Sequence, residues 1–170
     1  PQNATYWLAP APWLRKGFTI AKPVRRATVY ATALGIYELH LNGERVGHDV
    51  FTPGWTEYTK RVHYQTYDVT AQLRPGANAL GAILGDGWFA SLAAYTGKRH
   101  YYGGQPRLRA QLEIEYADGS RDVVQTDGSW RGSFGPVKYA DLYLGCAYDA
   151  RLAGTDWARG NFNDAGWSSV

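Results

Sequence analysis

Two stretches of this sequence gather side chains able to do chemistry. Within residues 49–58, Thr52-Pro53-Gly54-Trp55 is followed by Tyr58; between Leu84 and Pro106 come Gly85-Asp86-Gly87-Trp88-Phe89, Tyr95, Lys98-Arg99-His100-Tyr101-Tyr102 and Gly103-Gly104. Aromatic rings offer flat apolar faces, and Asp, Arg and Lys offer charged acceptors and donors. A sugar needs both, because its C–H face stacks on a ring while its hydroxyls take hydrogen bonds. The mixture points to carbohydrate binding, with Trp55, Tyr58, Asp86, Trp88, Arg99, Tyr101 and Tyr102 as candidate contacts. The competing reading is that these rings close the ends of a hydrophobic core.

Other chemistries find less support. Gly85-Asp86-Gly87 lacks the third glycine of a phosphate-binding loop and the helix that should follow it. His40, His48, His63 and His100 show no metal-ligand spacing and no neighbouring nucleophile pattern. A glycosidase needs two carboxyl groups about 5 to 10 Å apart across a sugar. Most aspartates, Asp118, Asp127 and Asp164 among them, sit beside Gly, Asn or Ala in turns, where turn geometry accounts for them. Asp49 and Asp86 differ: each lies in an irregular segment next to aromatic residues, which makes them the candidate metal ligands.

These segments must be held by strands. The clearest periodicity sets Leu108, Ala110, Leu112, Ile114 and Tyr116 against Arg107, Arg109, Gln111, Glu113 and Glu115, a strand with one apolar and one solvated face. Asp118-Gly119 turns it into a strand over 121–126, and Asp127-Gly128 turns again before Trp130. Upstream, strands are expected over 14–20, 27–34, 61–69 and 79–84, with Val29, Ala31 and Ala33 on one face. Residues 36–41, Asn42-Gly43 and Glu44-Arg45-Val46 spell a hairpin with a type I′ turn. No stretch carries a helical apolar pattern, and turn signals recur about every ten residues, as in a β-sandwich or jelly roll. The predicted fold is therefore all-β, in one sandwich spanning 1–170.

Composition agrees. In 170 residues there are 7 Trp, 13 Tyr and 20 Gly but no Met, a bias toward strand and turn formers. The net charge of +3 is dispersed among acidic residues, which argues against a nucleic-acid-binding stripe. No apolar run is long enough for a transmembrane helix. The single Cys146 has no internal partner and leaves the compartment open between cytoplasm and export.

A series of short motifs resembles the amino-terminal accessory domain of bacterial α-L-rhamnosidases. They are Arg15-Lys16-Gly17-Phe18, the run from Ala33 to Gly43, Pro53-Gly54-Trp55-Thr56-Glu57-Tyr58, Gln65-Thr66-Tyr67-Asp68-Val69-Thr70, Leu84-Gly85-Asp86-Gly87-Trp88 and Phe162-Asn163-Asp164-Ala165-Gly166-Trp167. They run in order along essentially the whole chain.

The resemblance implies a jelly-roll sandwich similar to galactose-binding domains and to rhamnose-binding modules, some of which hold a calcium ion that touches the sugar. It also implies that the hydrolytic acid and base belong to a separate helical barrel of a larger multidomain glycosidase, with a further domain after Ser168-Ser169-Val170. On this reading the domain is noncatalytic. It recognises terminal L-rhamnose or a related sugar, or has lost sugar binding and only orients the catalytic barrel. Calcium, if held, would fall to Asp49 and Asp86, although no dense Asp/Asn loop is present. Gly85 and Gly87 are expected to adopt positive φ and lift Trp88 over the binding surface, with Asp86 within reach of a bound hydroxyl or ion.

Overall fold

A computed structural model describes residues 8–93, 96–154 and 156–170. The alternating segment over 107–116 forms the strand that its pattern predicts. Ala110, Leu112, Ile114 and Tyr116 are buried, and Arg107, Arg109 and Glu113 face solvent. In chain order the strands are β1 (Pro12–Ile20), β2 (Val24–Leu34), β3 (Ile36–Leu41), β4 (Glu44–Arg45), β5 (Gln65–Asp68), β6 (Gly76–Gly85), β7 (Arg107–Tyr116), β8 (Arg121–Gln125), β9 (Arg131–Phe134), β10 (Val137–Asp141), β11 (Gly145–Tyr148) and β12 (Ser168–Ser169). A single α-helical turn, α1 (Gly87–Ala90), follows β6.

Two antiparallel sheets face each other. One has the order β12-β9-β1-β6-β3-β4, the other β5-β2-β7-β8, and β10 and β11 form a separate hairpin. The neighbours β1-β6 and β2-β7 are far apart in sequence, the long-range pairing of a jelly roll rather than a simple meander. The inner faces share one core. Leu39, Leu41, Leu80, Ala82 and Leu84 come from the first sheet, and Ala27, Val29, Ala31, Ala33, Leu112 and Ile114 from the second. The all-β sandwich expected from the sequence is the observed architecture.

The type I′ turn between β3 and β4 is present, with Asn42 at φ 55° and Gly43 at φ 86°. Asn42 does more than turn the chain. Its side chain donates to the Gln72 carbonyl and to Asn78 Oδ1 and accepts from the Ala79 amide, so the hairpin is pinned to β6. The strand expected over 61–69 is shorter: only Gln65–Asp68 pairs with β2, and the preceding residues cross the sheet edge as loop.

A second cluster covers the outer face of the six-stranded sheet. Trp13 and Trp157 stack at 4.7 Å between ring centroids, and Trp167 lies 6.4 Å from Trp157. A Cβ on Gly81 would sit 2.5 Å from the Trp157 ring, so the ring rests on a strand position that has no side chain. Beside it, buried Arg15 pairs with Asp164, donates to the Arg159 carbonyl at 2.9 Å and lies over the Phe162 ring. Asp164 is therefore more than a turn residue, because the Arg15 and Asp164 motifs dock on each other.

Candidate functional site

The loop over 49–58 begins after the β3-β4 hairpin and is anchored by Thr52. Its hydroxyl donates to the Tyr37 carbonyl at 2.9 Å, and the Tyr37 amide donates to the Thr52 carbonyl at 2.9 Å. From this anchor, with a cis bond between Thr52 and Pro53, the chain presents Phe51 and Trp55 outward, 55% and 57% exposed. Tyr58 turns back, its hydroxyl donating to the Gly54 carbonyl at 3.1 Å.

The second segment, 85–106, is not a loose loop. Gly87, at φ +53°, turns the chain from β6 into α1; a Cβ there would lie 2.8 Å from the Gly35 backbone, so only glycine fits. Gly85 ends β6 without a positive φ, so one of the two expected glycine devices operates. After α1, the Ala93 amide donates to the Lys98 carbonyl at 2.8 Å and the His100 amide to the Ala90 carbonyl at 3.2 Å, folding the segment back on itself. Tyr95 lies outside the described residues.

Under this fold lies an ion triad. Arg99 pairs through Nη2 with Asp86, and its Nε lies 3.3 Å from Asp141 Oδ2. The Arg99 side chain is 6% exposed and that of Asp141 is fully buried. Asp141 also accepts backbone N–H bonds from Leu92, Tyr143 and Leu144. Burial acts to raise its carboxyl, yet the donors from Leu144, Tyr143 and Leu92, together with Arg99, hold it below the ordinary range. For Asp86 burial wins: with the Asp141 charge nearby, it pushes the carboxyl up against the pull of Arg99 and His100. The two carboxyls flank one guanidinium, and Asp141 is held as an acceptor by Arg99 and three backbone amides.

The two segments and the β10-β11 turn converge on a pocket of about 120 Å³. It is lined by Trp55, Trp88, Tyr101, Tyr102 and Tyr143, with Ser91, Leu92, Ala93 and Leu142 between them. Trp88 is half-buried and contacts Phe51 edge-on at 6.0 Å, whereas Tyr101 and Tyr143 are 53% and 58% exposed. Tyr102 meets Tyr101 at 4.8 Å and Tyr58 at 5.0 Å, and Tyr58 meets Phe89 at 5.5 Å, all edge to face. The chain of rings thus runs from the rim inward.

The structure sorts the expected site residues into two groups. Trp55, Trp88, Tyr101 and Tyr102 line the pocket; Tyr58 supports Tyr102 from behind; Asp86 and Arg99 pair with each other and brace the segment. Asp49 stands apart, its carboxylate accepting from the Tyr67 hydroxyl at 3.0 Å. Among the described residues no three His, Cys, Asp or Glu side chains come together to hold a metal ion. Asp86 is engaged by Arg99 and Asp49 by the Tyr67 hydroxyl. Sequence reasoning missed Asp141, Tyr143 and Phe51. The legible signal was Asp141 followed by Gly145, a turn between two short alternating runs, with Gly145 at φ +81°.

Comparison with known proteins agrees with this architecture. The sequence profile of the alpha-L-rhamnosidase N-terminal domain matches residues 22–170. An alpha-L-rhamnosidase from Streptomyces avermitilis is 52% identical over 149 residues, 88% of this chain but 14% of that protein. The crystal structure of Streptomyces avermitilis alpha-L-rhamnosidase complexed with L-rhamnose superposes with a TM-score of 0.92 at 49% identity, covering 95% of this chain and 16% of that one. A Pleurotus ostreatus lectin shares the fold alone, with a TM-score of 0.59 and 21% identity over 95% of this chain and 35% of the lectin. The chain thus spans a small part of the length of such relatives, and it belongs to the alpha-L-rhamnosidase N-terminal domain family.

Proposed function

We propose that this chain is a noncatalytic carbohydrate-binding domain of a larger α-L-rhamnosidase, and that the ring-lined pocket receives a terminal L-rhamnose or related sugar. The observation that carries the reading is the convergence of two separate loops and a hairpin turn on one pocket whose walls are Trp and Tyr rings. Its volume of about 120 Å³ is far below the roughly 300 to 1,000 Å³ of clefts for drug-sized ligands, a scale suited to one sugar ring. The rings supply stacking faces for C–H groups and for the methyl of a deoxysugar, and the tyrosine hydroxyls supply donors and acceptors for the ring hydroxyls. Asp86, Arg99 and Asp141 are positioning residues: they hold Trp88 and Tyr101 where the sugar would stack. Hydrolysis would belong to another domain of the parent chain, acting on rhamnose-containing carbohydrate.

Titration calorimetry of the domain with L-rhamnose, run with and without calcium, tests this. Saturable heat that is lost in Trp55→Ala supports it, and absence of heat at millimolar sugar in both conditions overturns it. A calcium requirement would show that backbone oxygens or other groups complete an ion site that Asp49 and Asp86 do not make alone.

A second reading, a scaffold that orients the catalytic domain, draws on a different surface. An apolar groove of about 840 Å³ is lined by Pro12, Leu14, Leu108, Trp130, Phe134 and Val170 among others, with Phe134 63% exposed. A neighbouring domain of the parent chain would cover it. In the full-length protein, Phe134→Asp should then separate the unfolding of this domain from that of its neighbour, and unchanged joint unfolding would remove the scaffold role.

A further inference from the structure

The outward face of the sheet β5-β2-β7-β8 carries a second, open cavity of about 350 Å³, lined by Tyr30, Thr32, Tyr64, Arg109, Gln111 and Glu113 with the Ala31 backbone. Register places these side chains together. Tyr30 pairs with Gln111 across β2 and β7, Thr32 with Arg109, and Thr28 with Glu113. The ring of Tyr64 stands 6.3 Å from that of Tyr30, tilted by 55°, and is 65% exposed. It is held there because the Thr32 hydroxyl donates to the carbonyl of the preceding residue, His63, at 2.5 Å.

The charges are arranged with a direction. The Arg109 side chain has no ion pair or hydrogen bond among the described residues. Glu113, four residues along the same strand and so about 13 Å away, accepts from Gln111 Nε2 at 2.8 Å and has a second carboxylate oxygen to offer. One end of the cavity therefore presents an unpaired guanidinium, the middle two aromatic faces, and the other end acceptor and amide groups.

We propose that this sheet face is a second glycan-binding site, distinct from the ring-lined pocket, and that it takes an extended acidic oligosaccharide, one with a hexuronate unit. The uronate carboxylate pairs with Arg109, a pyranose face stacks on Tyr30 and Tyr64, and hydroxyls of the next unit bond to Gln111 and Glu113. The cavity volume lies within the range of ligand clefts, and its open shape suits a chain that enters and leaves along β7.

Titration of the 170-residue chain with an oligogalacturonate, and in parallel with a neutral cello-oligosaccharide of equal length, tests the proposal. The acidic sugar should bind, with affinity falling as salt rises. Tyr64→Ala and Arg109→Gln should each weaken it about tenfold, the loss of one stacked ring or one ion pair, while the melting temperature of these surface variants stays as in the parent. Absence of binding to either oligosaccharide overturns the site. Equal binding of the neutral chain, or acidic-chain binding that survives Arg109→Gln, overturns the assignment of the carboxylate to Arg109.

Discussion

Arg99 lies with its Nε 3.3 Å from Asp141 Oδ2, in a place where the Arg99 side chain is 6% exposed and the Asp141 side chain is not exposed at all. One buried guanidinium thereby ties the segment that carries Trp88 and Tyr101 to the hairpin that carries Tyr143. Arg99→Ala would leave Asp141 and Asp86 buried without their cation. It should cost about 3 to 5 kcal/mol, the usual penalty for removing one partner of a buried ion pair. Urea unfolding measures it. Arg99→Lys should recover only part of the loss, because an ammonium cannot face both carboxylates in one plane.

Trp55 and Trp88 separate binding from stability. Trp55 is 57% exposed, so Trp55→Ala should leave the melting temperature near that of the parent and weaken rhamnose binding by about 1 to 3 kcal/mol, judged from the loss of one stacked ring. Trp88 is half-buried and packs on Phe51, so Trp88→Ala should lower both. Calorimetry and thermal melts on the pair distinguish a binding wall from a core residue.

Gly87→Ala should destabilise even though the added group is a single methyl. The residue sits at φ +53°, and its new Cβ would approach the Gly35 and Ile36 backbone within 2.9 Å. A strain of about 1 to 3 kcal/mol corresponds to roughly 2 to 4 °C of melting temperature per kcal/mol in a domain of this size. Because the turn aims Trp88, sugar affinity should fall as well. An unchanged melt would show that the β6-α1 junction yields.

Burial, and secondarily the neighbouring Tyr102, pushes the Tyr58 hydroxyl up to about 12. In the unfolded chain it ionises near 10, so the folded state favours the neutral phenol, which donates to the Gly54 carbonyl. Its contribution to stability is complete below about pH 10 and is lost as pH rises through about 12. Melting temperatures between pH 8 and 12, compared with Tyr58→Phe, should show a steeper alkaline decline in the parent. Parallel declines would assign the effect to other tyrosines.

Local chemistry made much of the fold legible. The alternation of Leu108, Ala110, Leu112 and Ile114 with charged residues can bury one face only as a strand, and Asn42-Gly43 can close that hairpin because both residues tolerate positive φ. The aromatic members of the site were legible for a similar reason: Trp55, Trp88, Tyr101 and Tyr102 stand in segments without strand pattern. The shortening of β5 to Gln65–Asp68 was not, since how far an edge strand pairs depends on its neighbour rather than on its own alternation.

Side-chain period and turn residues act over a few neighbouring positions, so the sandwich, its inward faces and the two irregular segments could be read from the chain before any tertiary contact was known. The roles of the charged residues, by contrast, depend on contacts made in the folded chain. Asp141 lies far along the chain from Asp86 and Arg99, and whether a carboxylate meets a sugar or a guanidinium depends on which segment is folded beside it. Arg15 and Asp164, at opposite ends of the chain, meet for the same reason. Long-range antiparallel pairing brings these ends together, and no local pattern records that distance.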